Sequence, residues 1–166
     1  EEYFDEKKFK KYINSSDMKM FIKHEVDLGR RTNKNILEQE IRKIFLDDKY
    51  EDPYEYNKVK KNILKIEEEL FFIKKNKNEI FEEALFRVYR FVPKNVEIEP
   101  KVILYLGGID GGFASFSKNV YINLSKYIGN LEEFKKVLSH EFYHVRKMSF
   151  LKKVGVFIHT SIYPER

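Results

Sequence analysis

Hydrophobic spacing along this chain changes period once, at Pro93, and that change limits the fold more than any other feature. Before Pro93, apolar residues recur at intervals of three and four, the spacing that lines one face of a helix. In "DPYEYNKVKKNILKIEEELFFIKK", Val59, Ile63, Ile66, Leu70 and Ile73 form such a stripe and predict one long helix. Asp52 is placed to cap it, with Pro53 in its first turn. "NEIFEEALFRVYRFVP" repeats the pattern with Phe81, Ala84, Val88 and Phe91, until Pro93 stops it. Leu37, Ile41 and Ile44 in "NKNILEQEIRKIF" predict another helix, and shorter ones are expected over 5–13 and 17–28.

After Pro93 the pattern shortens. "VEIEPKVILYLGG" is rich in β-branched and aliphatic residues and predicts a buried strand ending at Gly107-Gly108. "IDGGFASFSK" reads as a loop. "NVYINLSKY" sets Val120, Ile122 and Leu124 against Tyr121 and Asn123, the alternation of a half-buried strand. "GN" then breaks the pattern before "LEEFKKVLSHEFYHVRKM", a helix that Asn130 can cap with Glu133 three residues on. The expected fold class is α+β: a mostly helical region, residues 1–92, packed on a unit of residues 93–166 that carries a small sheet and a final helix.

Composition narrows the function classes. The 15 Phe and 11 Tyr can fill a real core, and the longest apolar runs have strand length, too short to cross a bilayer. The absence of cysteine excludes disulfides, a thiol nucleophile and a cysteine-ligated metal. A net charge of +5 arises from 32 basic and 27 acidic residues that are interspersed, without an arginine-rich block. That balance reads as a solvated lysine-rich surface rather than a nucleic-acid-binding face. Both a cytoplasmic and an exported location are compatible with it, and the oligomeric state is open.

The chemistry is concentrated in His140-Glu141-Phe142-Tyr143-His144. Residues four apart on a helix point the same way, so the two imidazoles can converge on one ion, and neutral imidazole nitrogen is a good zinc ligand. Glu141 lies about 100° round from His140. It is poorly placed to share the coordination position, yet close enough to take a proton from a zinc-bound water. Phe134, Leu138, Val145 and Met148 give the same helix an apolar face, so the histidines should border a buried stripe. His24, in "FIKHEVD", has no second histidine at helical spacing and is expected at the surface.

Residues 96–148 resemble the zincin metallopeptidases, in a layout similar to the gluzincin branch. In that family an edge strand and a hairpin precede the active-site helix, the order seen in "VILYLGGIDGGFASFSKNVYINL" followed by "EEFKKVLSHEFYHVRK". The resemblance implies a zincin-like unit over 93–166, a zinc cofactor held by His140 and His144, Glu141 as general base and a polypeptide substrate. It also implies a substrate strand beside the sheet edge, which Gly111-Gly112-Phe113-Ala114 could border, although these glycines more simply serve a turn. Catalytic zinc normally has a third protein ligand. The metzincin continuation, a glycine and a third histidine, is missing from "HEFYHVRKMSFLKKVG". The gluzincin pattern implies a downstream glutamate, for which Glu165 stands at a compatible distance, with His159 as the alternative. His159 or Tyr163 is then a candidate transition-state stabiliser. A third ligand beyond Arg166 would leave 93–166 an incomplete unit.

Three functions are compatible with these features: a zinc-dependent metallopeptidase, a catalytically inactive binding protein on a zincin scaffold, and a basic helical interaction module with an accidental HExxH. The first accounts for the most residues and is the expected function.

Overall fold

The computed structural model describes residues 4–47, 49–91, 98–115 and 118–153, with side chains as far as Ser149. Within these residues the architecture is α+β and mostly helical, with one three-stranded sheet. The chain divides into two compact units, Glu1–Asn62 with Gly107–Ile109, and Ile63–Leu106 with Asp110–Arg166.

The first unit contains α1 (Glu6–Ile13), α2 (Ser16–Asp27), α3 (Lys34–Leu46) and α4 (Tyr56–Lys61). Asp5, Ser15 and Asn33 each accept a hydrogen bond from the backbone N–H three residues on, which starts the first three helices where the side chains dictate. Phe9, Ile13, Phe21, Leu37, Ile41 and Ile44 are buried. Arg42 reaches from α3 to Glu6 of α1 with bonds of 2.9 and 2.6 Å, while its guanidinium covers the Phe9 ring. His24 is buried, contrary to the surface position expected of it. It shares a stripe on α2 with Met18, Phe21 and Glu25, a spacing that a search for metal-ligand pairs overlooks.

The long helix expected from Asp52 onward is two helices. Asp52 accepts from the backbone N–H groups of Tyr54, Tyr56 and Asn57 at 3.0, 2.9 and 2.8 Å, so it ties a turn ahead of α4 instead of capping a helix at Pro53. Glu55 takes a left-handed conformation (φ 59°) at the entry to α4. The stripe breaks at Asn62, and Ile63, expected inside, is exposed.

The second unit contains α5 (Ile63–Lys75), α6 (Lys77–Tyr89), strands β1 (Val102–Tyr105), β2 (Gly112–Ala114) and β3 (Val120–Asn123), and α7 (Leu131–Lys153). On α6 the buried stripe is Ile80, Ala84 and Val88; Phe91, expected to join it, is exposed beyond the helix end. The sheet order is β1-β3-β2. β3 runs parallel to β1 and antiparallel to β2, with Val102 opposite Val120 and Phe113 opposite Tyr121. Phe113 and Tyr121 stack with ring centroids 4.6 Å apart.

Two strand expectations change with this order. β1 lies at an edge of the described sheet and is only half-buried, whereas β3 is central and buried at all four positions. A half-buried reading of β3 fails because α7 packs on it while β1 and β2 flank it. β2 falls in the stretch expected to be a loop. With two glycines before Phe113, it carries too little apolar alternation to be recognised as a strand.

Asp52 provides a direct test of the first unit. Asp52→Ala leaves three backbone donors without their acceptor and is expected to lower stability by about 1–2 kcal/mol in chemical denaturation. An unchanged midpoint would show that water serves those donors equally well.

Candidate metal centre

The site is built on α7, and α7 starts from a tight turn. The Tyr127 carbonyl accepts from the Asn130 N–H at 2.9 Å, and Gly129, third in the turn, has φ 72°, the positive value a type II turn requires there. Asn130 then accepts from the Glu133 N–H at 3.2 Å. Glu133 itself reaches forward to Lys136 at 2.5 Å, so the expected capping box is formed on one side only.

Phe134, Leu138, Phe142 and Val145 are wholly buried, each contributing about 1.5–3 kcal/mol of hydrophobic stabilisation. This face packs on α6, β2 and β3, with Phe81 edge-on to Phe142 at 6.0 Å. At the margin of the face, Lys135 bonds Glu83 and Glu132 at 2.7 and 2.5 Å, and Arg87 bonds the same two carboxylates at 2.5 and 3.0 Å. The rotation of α7 about its axis is thereby fixed from both sides.

That rotation orders the motif. At about 100° per residue, Glu141 lies beside the Phe134–Leu138–Val145 stripe, with His144 about 60° and His140 about 100° further round. Glu141 is accordingly buried, His144 half-buried and His140 exposed. The two Nε2 atoms are 2.9 Å apart, with the rings nearly perpendicular at 80°. Burial, the neighbouring His140 and Lys147 all lower the pKa of His144, which favours the neutral form that binds metals.

Glu141 is only 7% exposed and makes no hydrogen bond or ion pair with any of the described residues. Desolvation alone pushes its carboxyl up to about 7. Nearby, Tyr127 is half-buried, with its ring edge-on to Phe134 at 6.2 Å. Its hydroxyl occupies the place where a Gly111 side chain would sit. The Gly112 position is closed in the same way, by Val137 of α7 at 3.3 Å and by the Tyr121 carbonyl at 2.8 Å from a Cβ placed there. Neither Gly111 nor Gly112 has a positive φ, so close packing against β3, α7 and Tyr127 explains the pair better than a turn does.

His140, Glu141 and His144 thus come together on one side of α7. Glu165, His159 and Tyr163 lie outside the described residues. The sequence reading missed Tyr127, because no motif marks it and only the packing of Gly111 brings it to the site.

Residues 9–161 match the family model described as "Putative zinc dependent peptidase (DUF5700)", and the chain belongs to that family. No curated protein and no solved structure matches it. The family is zinc dependent, and zinc is the cofactor. The donor set suits it. Two imidazole nitrogens on one tetrahedral zinc stand about 3.3 Å apart, within a few tenths of an ångström of the 2.9 Å between the two Nε2 atoms here.

The desolvation of Glu141 also has a consequence for stability. Its folded pKa of about 7 lies above the ordinary glutamate value of 4.5, so the folded protein binds more protons between these limits. Stability therefore falls as pH rises from the lower value through the higher and is level beyond. In protein stripped of metal by a chelator, Glu141→Gln is expected to gain on the wild type as pH rises from about 5 to 8, by about 2–3 kcal/mol. Denaturation at both pH values measures this, and a pH-independent difference would mean the carboxylate is hydrated.

Proposed function

We propose that this chain is a metallopeptidase of the gluzincin-like zincin type, hydrolysing peptide bonds with zinc held by His140 and His144 and with Glu141 as general base. The observation that carries the reading is the pair of imidazole nitrogens 2.9 Å apart, one helical step from a buried carboxylate that bonds nothing among the described residues. A structural carboxylate in such a place would be expected to have a partner, since an unpaired buried charge is costly. Proton transfer gives this one a use.

Bound zinc supplies Lewis acidity, polarising the substrate carbonyl and acidifying water. Glu141 takes the proton of the attacking water and delivers it to the departing amine nitrogen. Without metal, burial alone raises this carboxyl to about 7; a bound dication would lower it and favour the ionised form that accepts the proton. His144, held neutral, offers its lone pair, while the exposed His140 faces the side from which metal and substrate arrive.

β2 is an edge strand of the described sheet and packs against α7, the arrangement in which an extended substrate can add main-chain hydrogen bonds. In this reading residues 93–166 form the zincin-like unit and residues 1–92 its helical companion. The third ligand is Glu165 or, failing that, His159, and Tyr163 is available to stabilise the transition state.

Elemental mass spectrometry on protein purified without a metal-affinity tag is expected to find about one zinc per chain, lost in a His140→Ala/His144→Ala double variant. Glu141→Gln should retain the zinc and lose at least about a hundredfold in turnover of an unstructured polypeptide. Full zinc occupancy with no hydrolysis by the wild type would instead favour a binding protein on the same scaffold.

A further inference from the structure

Tyr127 is a polar side chain that feels the Glu141 charge and to which the proposed chemistry gives no task. Two contacts fix its position: its ring lies edge-on to Phe134 and its hydroxyl fills the space beside Gly111, while the adjoining Gly112 packs on Val137. Val137 and Glu141 are four residues apart, hence on the same face of α7 about one turn from each other. The Tyr127 hydroxyl therefore stands over the stretch of α7 that leads to Glu141. Among the described residues it neither donates nor accepts a hydrogen bond, and the side chain is only half-buried.

A hydroxyl held this closely would ordinarily have a protein partner when its surroundings desolvate it. Burial, reinforced by the charges of Glu141 and Glu133, lifts its pKa to about 12, so it stays protonated at neutral pH. It is a donor at neutral pH, and among the described residues no group accepts from it.

We infer that the Tyr127 hydroxyl donates a hydrogen bond to the carbonyl oxygen of the scissile peptide group, where negative charge develops as water attacks. This rests on the peptidase reading above and assigns one more residue to the same site. No proton leaves the phenol in this role. It stabilises developing charge, while Glu141 alone carries the proton from water to the leaving nitrogen.

The test is Tyr127→Phe in the full chain, assayed on an unstructured polypeptide beside zinc content and melting temperature. The expected result is a fall in kcat of about a hundredfold, with KM within about twofold, zinc content unchanged and the fold as stable as before. Gly111→Ala provides a second variant, because its methyl group must displace the hydroxyl. It should lower kcat on its own and add no further loss in the Tyr127→Phe background. Should Tyr127→Phe not fold, a fall in kcat for Gly111→Ala at full zinc content supports the role, and an unchanged kcat overturns it. An active wild type with an equally active Tyr127→Phe sinks the assignment of Tyr127 alone, as does a loss that merely tracks lost zinc. A zinc-loaded wild type that hydrolyses nothing overturns the peptidase reading and this role with it.

Discussion

The burial of one face of α7 is the constraint on which the site depends. Phe134, Leu138, Phe142 and Val145 must all leave water together, and a helix that satisfies all four has one rotation about its axis. The ion pairs of Lys135 and Arg87 with Glu83 and Glu132 hold α7 against α6 in that rotation. Glu141 is then carried to the edge of the apolar face by its place in the sequence, and its desolvation is a consequence of packing elsewhere on the helix. Apolar packing offsets the cost of keeping a carboxyl where it is hard to ionise, which is how folds commonly maintain a reactive group.

The same division of labour appears in the loop before α7. Gly129 lets the chain reverse, Asn130 begins the helix, and Tyr127 is left with its hydroxyl against Gly111, just ahead of β2. The hydroxyl and the missing side chain of Gly111 fit each other, so neither residue can be understood from its own neighbours in the sequence. β2 packs as it does because its first residue, Gly112, and Gly111 just before it carry no Cβ. Val137 and the Tyr121 carbonyl approach one of them as closely as a backbone allows.

Much of this was legible in the sequence, and the reasons for what was not are physical. The stripe on α7 and the spacing of His140 and His144 depend only on helical period, so both survive in the structure. The change from helix to strand around Pro93 likewise reflects a change of period. Where one period continued smoothly, the reading failed: the spacing of Val59, Ile63 and Ile66 is consistent with one helix, but Asp52 draws three backbone N–H groups into a turn and Asn62 separates α4 from α5. His24 was misplaced because it was judged as half of a metal-ligand pair instead of a member of an apolar stripe. The burial of β3 depends on strand order, which no local pattern contains.

With His140 and His144 as the proposed ligands, the hydrogen-bond distance between their rings bears on how an ion would be taken up. At 2.9 Å one Nε2 presents an N–H and the other a lone pair. Holding an ion on both nitrogens requires two lone pairs. One ring must therefore change tautomer, surrendering its Nε2 proton and carrying one on Nδ1 instead. His140, the ring that solvent reaches, is the natural place for that exchange, and His144 can keep a single tautomer throughout. Loading the proposed site would then join capture by one nitrogen to a proton relocation on the other ring.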